Sequence, residues 1–88
     1  MEEEALKLLR TILDLKETSL YDLTEIWARN KSVSSQEVFD EIVRLVYTLA
    51  SNNLVKLETI EGEDGLETLV KPTTFGETYL KSSIIKKL

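Results

Sequence analysis

The chain has 88 residues, a net charge of −5, and neither cysteine nor histidine. Those absences exclude disulfides, thiolate or imidazole zinc sites, and the Cys–His and Ser–His nucleophile systems. No stretch approaches the ~20 apolar residues of a membrane span.

The length makes residues 1–88 a single expected domain, with a core that buries only about 60–65% of the surface its unfolded chain exposes. The acidic start, MEEE, lacks the positive-then-apolar order of a secretion signal. The expected address is therefore the cytoplasm.

The first predicted helix covers 2–15, with Leu6, Leu9, Ile12 and Leu13 as its apolar stripe. Glu2, Glu3 and Glu4 sit in its first turn, where carboxylates complement the helix dipole. A second helix over 19–30 opens at Ser19 with Asp22 in the capping-box position. Leu20, Leu23, Ile26 and Trp27 form its buried face, so the lone tryptophan reads as core rather than as a binding platform. The third helix, over 35–51, opens with Ser34 and Glu37 as a capping box. Val38, Ile42, Leu45, Val46 and Leu49 follow at helical spacing. Asn52 and Asn53 stop it, since asparagine tolerates the left-handed conformation that ends helices.

Two strands, 54–60 and 66–71, flank Glu61-Gly62-Glu63-Asp64-Gly65 and predict a hairpin. Pro72 ends the second strand. Thr74 opens a last helix over 75–87, with Glu77 completing a third capping box and Phe75, Tyr79, Leu80, Ile84 and Ile85 as its apolar positions. Lys81, Lys86 and Lys87 gather near its end, where cations suit the dipole. The expected fold is mainly α with a small β-hairpin, in the order helix-helix-helix-strand-strand-helix. The expected core is Leu9, Leu13, Leu23, Ile26, Val38, Ile42, Leu45 and Leu49.

That order, together with LASNNLV and KPTTFGETYL, resembles the winged helix-turn-helix proteins. The third helix ends in Leu49, a polar step, then Leu54 and Val55, as recognition helices of that family do. Thr74, Gly76, Tyr79 and Leu80 look like the threonine–glycine–aromatic–leucine pattern that follows the wing in small archaeal and bacterial regulators, including the MarR type. The resemblance implies a third helix that reads the DNA major groove, a wing that touches the adjacent backbone, and a last helix that carries a dimer contact.

The charges depart from that implication. Phosphate neutralisation needs lysine and arginine. The polar side of the third helix instead carries Glu37, Asp40 and Glu41 against one Arg44. From Leu57 through Val70 there are five acids, Glu58, Glu61, Glu63, Asp64 and Glu67, and no base. If the chain is a DNA-binding transcription regulator, Arg29, Lys31, Arg44 and Lys56 are the groups left to face phosphate.

The apolar arc of the third helix spans about 200°, against the ~100° stripe that a surface helix needs. One half is core. The other holds Phe39, Val43, Ala50 and Tyr47, and three covers are open to it: the wing, the last helix through Phe75 and Tyr79, or another protein. Aromatic residues of this kind anchor interfaces. The expected function is thus a non-enzymatic binding module working through protein contact, as a homodimer or an accessory subunit of a DNA-linked complex. Its interface residues would be Phe39, Val43 and Tyr47, with Tyr79, Ile84 and Ile85 from the last helix. Glu63 and Asp64 sit on an exposed tip with no cleft around them, so neither catalysis nor a metal is expected there, and no cofactor or small-molecule substrate is expected anywhere.

Overall fold

The computed structural model describes residues 3–87, with side chains as far as residue 82. Four helices and three strands follow in the order α1 (Glu3–Leu15), β1 (Thr18–Ser19), α2 (Leu20–Lys31), α3 (Ser35–Ser51), β2 (Val55–Gly62), β3 (Gly65–Pro72) and α4 (Thr74–Lys87). The sheet is antiparallel with strand order β1-β3-β2.

The expected two-stranded hairpin is therefore a three-stranded sheet. β1 places Thr18 opposite Val70 and Ser19 opposite Leu69. A two-residue strand is too short to show a period, and neither of its residues is apolar, so nothing in the sequence announces it. The hairpin loop is also shorter than expected, because Gly62 pairs with Gly65 and only Glu63 and Asp64 remain unpaired.

Local chemistry sets most boundaries. Ser19 Oγ accepts from the Asp22 N–H at 3.0 Å and caps α2. The Ser34 N–H donates to Glu37 Oε2 at 3.2 Å at the start of α3. At the end of α3, Asn53 takes φ +61°, as a residue in that left-handed position must. There the Leu54 N–H returns to the Leu49 carbonyl at 2.9 Å and the Asn53 N–H to that of Ala50 at 3.0 Å. Leu49 and Leu54 are both buried, so this helix stop is bolted into the core.

The third capping box is corrected. Thr73, not Thr74, caps α4: its Oγ1 accepts from the Gly76 N–H at 2.9 Å and donates to the Asn53 carbonyl at 2.7 Å. Glu77 pairs instead with Lys81 at 3.2 Å. Gly76 is buried, and a Cβ there would overlap the Leu54 carbonyl oxygen. Only glycine lets the start of α4 lie this close to the α3–β2 junction.

The core sits where α1, α2 and α3 meet the sheet. Leu9, Leu23, Val38, Ile42, Leu45 and Leu49 are buried as expected, joined by Ala5, Leu8, Ile12, Trp27, Ala28, Val46, Leu54, Val55 and Val70. Leu13 and Ile26 are only half-buried. Among the described residues, no helix is long and apolar enough to cross a membrane.

Candidate functional site

The outward side of α3 is divided lengthwise. At 100° per residue, Val38, Ile42, Leu45, Val46 and Leu49 turn inward and are buried. One outward strip carries Glu37, Asp40 and Arg44. The strip beside it carries Phe39 (46% exposed), half-buried Val43 and Tyr47 (59% exposed). Of the covers open to this strip, the last helix leaves Phe39 and Tyr47 exposed. Phe75 and Tyr79 lie 6.3 Å apart, ring to ring. They border a cleft with Thr48 and Ser51 at the C-terminal end of α3, on its polar side.

At its other end the uncovered strip opens into a groove of about 350 Å³ between α2, α3 and β3. Tyr21 and Thr24 stand on one wall, Gln36 and Phe39 on the other, and Leu66 and Thr68 come from the hairpin. The hairpin makes this groove because it outruns the helices beneath it. Side chains two apart on a strand share a face, so Val70, Thr68 and Leu66 point the same way. Val70 reaches the core and is buried, whereas Leu66 is 75% exposed. Tyr21, at the start of α2, is 70% exposed beside it.

Glu25 and Glu67 are the acidic residues that line the groove, and no lysine or arginine does; the Glu67 carboxylate turns toward Gly62, on the face of the hairpin opposite Leu66. An adjoining cleft shares Tyr21, Glu25 and Glu67 and adds Glu17, Asp22 and a single arginine, Arg29. Among the described residues, Glu25 and Glu67 make no ion pair.

The lysines nearer the core are engaged. Lys71 lies 2.8 Å from Glu58 and 3.6 Å from Glu17. The hydrogen bond from Lys71 holds the Glu58 carboxyl below its ordinary range, and the same contact, with the Glu17 charge behind it, raises Lys71. Lys31 lies 3.2 Å from Glu41 of α3 and 3.3 Å from Glu4 of α1. Its ammonium stands 5.2 Å from the centre of the Trp27 ring. The Glu41 hydrogen bond is the largest of the influences that raise the Lys31 pKa.

These placements sort the residues singled out by the sequence. Phe39, Val43 and Tyr47 share one open strip. Tyr79 belongs to a separate aromatic pair, and Ile84 and Ile85 lie outside the described side chains. Of the residues left for phosphate, Lys31 clamps three helices together, while Arg29 lines the cleft beside Glu25 and Asp22. Lys56 is exposed on β2 opposite Lys71, and Arg44 is on the polar strip of α3. Sequence reasoning missed Tyr21 and Leu66. Tyr21 falls outside the apolar stripe of its helix, a signal that was available. Leu66 is indistinguishable by pattern from an inward strand residue.

No protein-family model, curated protein or solved structure matches the chain. Among the described residues, no three carboxylates come together in a way that could hold a metal ion.

Proposed function

We propose that this chain is a winged-helix binding module without catalytic activity, acting mainly through protein–protein contact as a homodimer or as an accessory subunit of a DNA-linked assembly. The observation that carries this reading is the open aromatic strip of α3, where Phe39 and Tyr47 stay exposed although the chain has a further helix to spend on them. Large side chains left in water beside a small core gain by association.

Electrostatics weigh against the DNA reading. At an effective dielectric of ~20–80, each carboxylate held near a phosphate costs on the order of 0.5–2 kcal/mol. The strip of α3 that would enter a groove carries Glu37 and Asp40, and the hairpin end carries Glu61, Glu63, Asp64 and Glu67.

Light scattering on a size-exclusion column, at micromolar concentration, reads the assembly directly. A dimer that dissociates in Tyr47→Glu supports the homodimer form. A monomer from which Tyr47→Glu removes capture of a host protein supports the accessory subunit. Micromolar binding to random duplex DNA that weakens steeply with salt and collapses in Arg44→Glu would establish the regulator reading instead.

A further inference from the structure

We infer that the groove between α2, α3 and the hairpin docks a basic amphipathic segment of a partner protein, one large apolar side chain lodging between Tyr21, Phe39 and Leu66 while lysines or arginines meet Glu25 and the carboxylates of the hairpin tip. This rests on the protein-contact reading and names the chemistry of the partner.

The anchors come from three elements and converge. Tyr21, Phe39 and Leu66 all line the same groove, and each is 46% exposed or more. A volume of about 350 Å³ lies at the small end of ligand clefts, which run from about 300 to 1,000 Å³. It suits a few side chains of a segment rather than the face of a folded domain.

Charge selects the sign of that segment. The groove lining contains acidic residues and no base, and the adjoining cleft adds Glu17 and Asp22 against one base, Arg29. Glu63 and Asp64 form the nearby turn of the hairpin. Lys71, which serves Glu17 and Glu58 farther down the hairpin, does not line the groove. An acidic peptide, a nucleic acid or an anionic lipid surface would meet repulsion here, whereas a basic segment brings the missing counter-charges. A second copy, carrying the same net charge of −5, is a poor match for an acidic groove.

The test is fluorescence anisotropy with a labelled synthetic peptide of leucine and lysine at helical spacing. Two controls accompany it: the same spacing in leucine and glutamate, and a lysine–glycine peptide of equal charge. Saturable one-to-one binding is expected for the leucine–lysine peptide alone, at least about ten-fold tighter than for either control. Phe39→Ala, and separately Glu25→Gln with Glu63→Gln, should each weaken it about ten-fold. Added salt should weaken binding to the unaltered protein and act much less on the double variant. All the substituted side chains are at least partly exposed, and circular dichroism melts check that the variants remain folded.

Equal binding of the leucine–glutamate peptide, or no loss in either variant, overturns the inference. A dimer that is lost in both Phe39→Ala and the glutamine double variant would also overturn it, by placing a second copy in the groove. If the groove variants change nothing while Tyr47→Glu still abolishes assembly or capture, the groove assignment fails and the protein-contact reading survives.

Discussion

Val70 and Leu66 stand four residues apart on one face of one strand, yet the first is fully buried and the second is 75% exposed. The base of the hairpin is held on every side. β1 pairs with it, Val55 and Val70 enter the core, and Lys71 joins Glu17 to Glu58 across it. The tip keeps the same alternation, but Leu66 faces an open groove and, among the described residues, Glu67 makes no ion pair. A strand that continues past its body leaves apolar and acidic residues in solvent.

The largest test of that contrast compares two glycines. Gly76→Ala drives a Cβ into the Leu54 carbonyl where α4 meets the base. It should cost about 3–5 kcal/mol in urea unfolding, in the range of the most damaging single substitutions. Gly65→Ala at the tip meets no atom but must hold φ +115°. Its cost should be strain alone, about 1–3 kcal/mol. If Gly65→Ala proved the worse of the two, the tip would be a structural element after all.

Next in size is Val70→Ala, expected to lose about 2 kcal/mol because its side chain is wholly out of water.

Smaller still is the ion pair at the base. The Glu58 pKa is depressed by Lys71, so its stabilisation is full above the ordinary carboxylate pKa and fades as pH falls through the lower folded value. Lys71 is raised, so its share is full below the ordinary lysine value and is lost only as pH rises through the higher folded one. The stability difference between the unaltered protein and Lys71→Met should thus be flat near neutrality and close in acid. A difference that grows in acid would place the pair's effect elsewhere. Exposed pairs of this kind contribute little, so the signal will be modest.

The smallest effect belongs to Leu66→Ala, which should leave stability within about 0.5 kcal/mol while weakening whatever the groove binds. A clear loss of stability would mean that Leu66 is covered and the groove closed.

α3 teaches the same lesson sideways. Its span, its caps and its buried face were legible because each depends on residues within a few positions: Ser34 with Glu37, Asn53 after the last turn, apolar residues at helical spacing. Its second apolar strip was legible too, but not the fate of that strip. In the sequence Phe75 and Tyr79 are as plausible a cover as a second protein; the fold decides, because both border a cleft at the polar C-terminal end of α3. The charges of the groove were readable only in part, because Glu25 and Glu67 lie far apart in sequence and come to line one groove only through folding.

The sequence alone determined the four helices, the hairpin, most of the core and the acidic character of α3 and the hairpin, since caps, periods and signs of charge are local properties. Tertiary structure alone decided that Thr18 and Ser19 are a strand, that Thr73 rather than Thr74 caps α4, that Lys31 clamps three helices, and that Tyr21, Phe39 and Leu66 share a groove. Each of these involves a distant segment: β3 makes β1 a strand, the Asn53 carbonyl holds the Thr73 hydroxyl at the start of α4, α1 and α3 supply the partners of Lys31, and the point at which the helical body stops leaves Leu66 largely exposed. A residue's neighbours along the chain specify which way its side chain points, but only the extent of what lies opposite specifies whether anything is there to meet it.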